Sequence, residues 1–152
     1  MENPTIQKSG DYFTAGYLCG ESVLMALCGH LNIQSDLVPR IATGFCSGLA
    51  RTAGMCGAVS GAVMGISLAF GRDTAGTAVD ANYRVVQQFI GAFEDAHGSI
   101  QCPDLVGCHL GTPQGQDHYK ANRLREKCLE LTRSAARLAL TAIEAEGVEP
   151  QD

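Results

Sequence analysis

The stretch Gly54-Met55-Cys56-Gly57-Ala58-Val59-Ser60-Gly61 opens an uncharged, largely apolar run that ends near Phe70. Its one cysteine stands where a loop is expected to turn into a helix. A thiol at a helix N-terminus feels the positive end of the macrodipole, which favours the thiolate. The backbone N–H groups of Gly57 and Ala58 can also hold an anion, including a sulfur-ligated cluster. The alternative is that Cys56 is a small buried hydrophobe in a packing helix.

Glycines continue through this run at four-residue spacing, at Gly57, Gly61 and Gly65. Such spacing predicts a helix with a smooth groove, against which another helix packs at short distance. The uncharged run over 53–70 has the minimum length of a membrane span, but its glycines and serines dilute the hydropathy that a span needs. We therefore expect a central helix buried in a bundle, and no membrane insertion.

The remaining segments show helical periodicity and no strand-like alternation. Apolar residues at three- and four-residue steps predict helices over 11–27, 36–42, 77–97 and 117–146, with a polar loop over 110–116. The fold class is therefore all-α, a compact single-domain bundle of about five or six helices around the Gly-rich helix. The domain is expected to cover 11–146, between a polar N-terminal segment, 1–10, and a C-terminal tail, 147–152.

Composition narrows the classes of function. The net charge is −5 and aromatic residues make up 6% of the chain, which argues against nucleic acid as a partner. The polar N-terminus lacks the apolar core of a signal peptide. We therefore expect a cytoplasmic protein, in which the seven cysteines stay reduced unless they carry redox or metal chemistry.

The cysteines form no compact metal or redox motif, because CxxC, CxxCH and the common catalytic signatures are all absent. The four histidines are dispersed and share no helical spacing with other candidate ligands. Arg51 is the only charge in the irregular stretch 44–57. It is expected either to neutralise nearby thiolates or to lie on the surface.

Four segments together resemble the C_GCAxxG_C_C family of redox-active proteins. The family's hexapeptide stands as Cys56-Gly57-Ala58-Val59-Ser60-Gly61, and its first-cysteine helix resembles Tyr17-Leu18-Cys19-Gly20-Glu21-Ser22-Val23-Leu24. Its third and fourth cysteine segments resemble Gly98-Ser99-Ile100-Gln101-Cys102 and Glu126-Lys127-Cys128. The resemblance spans roughly 11–144 and implies that Cys19, Cys56, Cys102 and Cys128 form the site. Three other cysteines fall outside the pattern: Cys28, Cys46 and Cys108.

Two redox chemistries and one structural role remain open for these four cysteines. In the first, the four thiolates hold an iron–sulfur cluster or another thiophilic metal for electron transfer or redox sensing. In the second, pairs of thiols switch to disulfides without a metal, with Cys56 as the attacking thiolate. In the third, the chain is a non-catalytic helical interaction protein with core cysteines. We favour the gathered site, with an unknown redox partner and a possible homodimer.

Overall fold

The chain is described by a computed structural model over residues 1–147. Within this range the secondary structure is helical, and the only strand-like feature is a single bridge between Met55 and Gln101. The all-α prediction is confirmed, but these residues form more helices than the five or six expected. The α-helical segments are α1 (Pro4–Thr14), α2 (Cys19–His30), α3 (Cys46–Arg51), α4 (Gly57–Phe70), α5 (Asp80–His97), α6 (Cys102–Val106), α7 (Pro113–Ala121) and α8 (Arg125–Ala145), with a 3-10 helix at Arg40–Phe45.

The predicted helix over 11–27 is wrong, because α1 and α2 are separate. The chain turns between them at Gly16, whose φ of +115° suits glycine. α1 begins inside the predicted polar N-terminal segment, 1–10. There the Asn3 side chain accepts a 2.8 Å hydrogen bond from the Thr5 N–H, and Pro4 occupies the first turn. α1 then packs against α2 and α8.

The predicted helix over 117–146 is also two helices. α7 starts early, at Pro113, because the Thr112 side chain accepts a 3.0 Å hydrogen bond from the Gly115 N–H. The loop predicted over 110–116 is therefore partly helical. Arg123, with a left-handed φ of 54°, separates α7 from α8. The predicted C-terminal tail, apart from Gly147, lies outside the described residues.

The Gly-rich helix α4 packs against α2, α5 and α8. A side chain at Gly61 would meet the backbone of Gly20, with the Gly20 Cα 2.9 Å from the added Cβ. A side chain at Gly65 would lie 2.9 Å from the Leu27 Cβ. α2 and α4 thus meet without intervening side chains. The main core is formed by larger residues of α2, α4, α5 and α8: Val23, Leu27, Val59, Ile66, Phe89, Phe93, Leu131 and Ile143.

The segment before α4 has an unusual backbone. The predicted helix over 36–42 is wrong, because this part of the chain forms turns that lead into the 3-10 helix. In α3 that follows, Ser47 to Ala50 all have φ between 54° and 70° with positive ψ, which makes one left-handed helical turn. Such a turn costs about 1–2 kcal/mol for each non-glycine residue. It is held by the Gly48 carbonyl, which accepts from the N–H groups of Gly54 at 2.8 Å and Thr52 at 3.2 Å.

Among residues 1–147, no helix has the length and apolar character needed to cross a membrane. The Gly-rich candidate, α4, contains only 14 residues.

The close contact of α2 and α4 predicts opposite effects for two glycine-to-alanine substitutions. Gly61→Ala should lower the free energy of unfolding by about 3 kcal/mol, because the added methyl meets backbone that cannot turn aside. Gly91→Ala, in a part of α5 where an added Cβ meets nothing within 4 Å, should raise it by up to about 1 kcal/mol. Urea unfolding measures both. Equal effects of the two substitutions would contradict the packing described.

Candidate functional site

Four cysteines from four helices line one cavity of about 60 Å³. Cys19 opens α2, Cys56 is the N-cap of α4, Cys102 opens α6 and Cys128 lies in the first turn of α8. These are the four residues that the sequence predicts as a site. The structure therefore brings together thiols that are far apart along the chain.

Glycines make room for the sulfur atoms. A Cβ added at Gly57 would lie 2.6 Å from the Cys19 Sγ, and one added at Gly48 would lie 3.1 Å from the Cys102 Sγ. The left-handed turn of α3 is what lays Gly48 against Cys102. The sulfurs occupy space that side chains would otherwise fill, so the lining of the cavity depends on these glycines.

The loops that carry Cys56 and Cys102 are paired directly. The Cys56 N–H donates to the Ile100 carbonyl at 2.8 Å, and the Cys102 N–H donates to the Gly54 carbonyl at 2.9 Å. These two bonds flank the bridge between Met55 and Gln101. The backbone thereby fixes two of the four cysteines relative to each other.

Cys19 carries the most acidic thiol of the cluster. The nearby Cys46 thiol stabilises the ionised sulfur most, and the N–H groups of Ser47 and Gly20 stabilise it further. Together these interactions outweigh desolvation and lower the pKa of Cys19 to about 7. Cys19 is half-buried and lines the cavity, and its lowered pKa leaves the sulfur partly ionised near neutral pH.

Cys46, which the family pattern leaves out, belongs to this site. It is 1% exposed, its thiol donates to the Ala42 carbonyl at 3.4 Å, and its Cα lies against the same glycine, Gly57, as the Cys19 Sγ. One S–H proton serves one acceptor at a time, and the ionised sulfur is the stronger acceptor. Donation to Cys19, together with burial, raises the pKa of Cys46 above its ordinary value.

The other three cavity thiols are held neutral. Burial first, and then the charge of neighbouring thiolates, raises the pKa of Cys56 to about 12 and that of Cys102 to about 12. Burial also raises the pKa of Cys128 to about 11, although the Tyr119 hydroxyl donates to its sulfur at 3.3 Å. Three thiols thus surround the charge of Cys19 without adding to it at neutral pH.

Cys56 lies at a helix N-terminus, as predicted, but its environment does not suit an attacking thiolate. The N–H groups of Val59 and Ala58 lower its pKa, yet burial outweighs them. Gly57 lies against Cys19. The predicted cofactor-binding role of Gly57 and Ala58 stays a prediction. The low-pKa thiol is Cys19, because it collects a side-chain donor that Cys56 lacks.

Two further cysteines do not line the cavity. Cys28 packs with Leu24 and Ala42 in a smaller apolar cluster, and Cys108 is half-buried.

The set of metal ligands expected from the sequence stays a prediction. Within the part of the chain that the structure describes, no group of three His, Cys, Asp or Glu residues could hold a metal ion.

Comparison with known protein families assigns the chain to one family. Residues 17–142 match the family described as "Putative redox-active protein (C_GCAxxG_C_C)". Since this match covers most of the chain, the protein belongs to the C_GCAxxG_C_C family. Comparison with curated proteins and with solved structures gives no significant match.

The hydrogen bond from Cys46 predicts the pH dependence of Cys19 reactivity. Alkylation of Cys19 by iodoacetamide should rise with pH through a midpoint near 7, because only the thiolate reacts. In Cys46→Ala the donor is lost and the thiolate is less stable, so the midpoint should move up by about 1 to 2 in pH. Peptide mass spectrometry after timed alkylation measures it.

Cys46→Ser is the matched control, because its hydroxyl still donates and the midpoint should stay near that of the native protein. Cys28→Ala, remote from the cavity, should also leave it in place. A native midpoint in both Cys46 variants would show that Cys46 does not stabilise the thiolate.

Proposed function

We propose that this protein performs thiol–disulfide chemistry, with Cys19 as the nucleophilic thiolate and Cys46 as the thiol that pairs with it. The observation that carries the proposal is the closeness of the two cysteines: Gly57 lies against both the Cys19 Sγ and the Cys46 Cα, and the Cys46 thiol is the largest cause of the lowered pKa of Cys19. A low-pKa thiol with a second thiol in contact is the arrangement that forms and breaks disulfides.

The reaction with a disulfide substrate balances in two steps. The Cys19 thiolate attacks one sulfur of the substrate, so that a mixed disulfide forms and the first substrate thiolate leaves. Cys46 then gives up its proton and attacks the Cys19 sulfur, so that a Cys19–Cys46 bond forms and the second substrate thiol leaves with that proton. The protein loses two electrons and the substrate disulfide gains them.

The raised pKa of Cys46 suits this order of events. While Cys19 is a thiolate, the Cys46 proton is held between the two sulfurs. Once Cys19 enters a mixed disulfide its charge is gone, and the pKa of Cys46 falls with the loss of that bond. Cys46 therefore becomes nucleophilic only after the first step.

A second function is supported by the cavity itself. Four thiols around one space are the ligand set of an iron–sulfur cluster, so Cys19, Cys56, Cys102 and Cys128 would be its ligands. A bound cluster would supply one-electron transfer. The neutral state of three of these thiols opposes ligation until a cation displaces their protons, and for this reason we place the cluster second.

The thiol proposal is tested by counting thiols after mild oxidation. Treatment of the native protein with diamide, a two-electron thiol oxidant, should remove two of the seven thiols and link Cys19 to Cys46 in peptide maps. Cys46→Ala should lose none by this route, whereas Cys28→Ala should still lose two. An unchanged thiol count, or a bond that excludes Cys19, would contradict the proposal.

The cluster alternative makes its own prediction. Protein purified without oxygen and reconstituted with iron and sulfide should be coloured and should contain both elements. Cys128→Ala should lose the colour, whereas Cys108→Ala should keep it. A colourless, iron-free preparation after reconstitution would remove this alternative while leaving the thiol chemistry in place.

A further inference from the structure

A second groove of about 220 Å³ adjoins the cysteine cavity. The two share wall residues on both sides of the reactive sulfur. Leu18 precedes Cys19 in sequence, and Ser47 donates its N–H to Cys19. The full set of shared wall residues is Leu18, Ser47, Leu110, Tyr119 and Arg125. A molecule held in the groove therefore lies next to the opening that leads to the thiolate.

The groove is basic, although the chain is acidic overall. Arg51, Lys120 and Arg125 line it, and no carboxylate of residues 1–147 does, in a protein whose net charge is −5. Such a local reversal of charge raises the local concentration of anions.

Two of the three cations are free to meet a ligand. Arg125 is engaged, since it donates to the Phe13 carbonyl at 2.7 Å and lies 4.4 Å from the centre of the Phe13 ring. Among residues 1–147, Arg51 and Lys120 make no ion pair. Neither contributes to lowering the pKa of Cys19, so their charge is not used to stabilise the thiolate.

The walls also define the size and chemistry of the ligand. Leu18 and Leu110 supply apolar surface, and the Gln116 amide on the same wall donates to the Leu110 carbonyl at 3.0 Å. The volume is below that of pockets for drug-sized ligands. It suits one carboxylate-bearing arm of a small molecule rather than a helix of a partner protein.

We infer that this groove binds the carboxylate-bearing part of a small acidic disulfide, and presents its sulfur to Cys19. This inference rests on the proposed thiol chemistry and adds its substrate class. The anion is held by Arg51 and Lys120, and the exchange then follows the two steps given above, with Cys46 displacing the second substrate thiol.

The test compares three small disulfides of different charge on the full-length chain. Glutathione disulfide is anionic, bis(2-hydroxyethyl) disulfide is neutral and cystamine is cationic. Each rate of reaction at Cys19, corrected for the Cys19→Ala background, is divided by the rate of the same disulfide with 2-mercaptoethanol. At low ionic strength we expect the anionic disulfide to exceed the neutral one by about tenfold and the cationic one to be slowest, with the differences shrinking in salt.

Paired variants locate the effect. Arg51→Gln with Lys120→Gln should reduce the anionic-to-neutral ratio to about one- to twofold. Lys8→Gln, an exposed cation of α1 outside the groove, should leave the ratio close to that of the native protein.

The outcomes separate the two proposals. If all three disulfides react equally, or if Lys8→Gln lowers the ratio as much as the groove variants, the groove inference is overturned and the thiol chemistry stands. If even the neutral disulfide fails to react at Cys19, the proposed function itself is overturned, and this inference falls with it.

Discussion

The backbone contact between α2 and α4 is the constraint on which the site depends. Gly20 and Gly61 meet main chain to main chain, and Gly57 lies against both the Cys19 Sγ and the Cys46 Cα. Any side chain at these positions would separate the start of α2 from the start of α4. The glycine spacing that allows the helices to touch is therefore the same feature that allows two sulfurs to share a hydrogen bond.

Cys19 and Cys56 show how little a helix N-terminus decides by itself. Both sulfurs lie at such a position and both accept backbone N–H bonds. Burial raises the pKa of both thiols. Only Cys19 has a neighbouring S–H donor and the additional N–H of Ser47. The difference in pKa comes from these neighbours, which belong to a segment distant in sequence, and not from the dipole that the two share.

Sequence reasoning reached the helical class from apolar periodicity, which is a local signal, and took the four cavity cysteines from the resemblance to the family. It did not find the ends of helices at Gly16 and Arg123, since a single left-handed residue leaves the periodic pattern on both sides intact. It placed Cys46 outside the family pattern and left its role open. Nothing in its neighbours GFCSG indicates that a left-handed turn will bring this thiol to Cys19, because the turn is held by hydrogen bonds from Thr52 and Gly54 and not by the preferences of its own residues.

The left-handed turn has a thermodynamic consequence for the whole site. Its Ser47 N–H stabilises the ionised form of Cys19, while its backbone conformation is costly for the non-glycine residues that adopt it. By reciprocity, whatever free energy the turn gives to the charged sulfur, the charged sulfur returns to the turn. The conformation of an exposed stretch that includes Leu49 and Ala50 is thus coupled to the protonation of the Cys19 sulfur. Protonation of that sulfur removes the stabilisation that the left-handed turn receives from its charge.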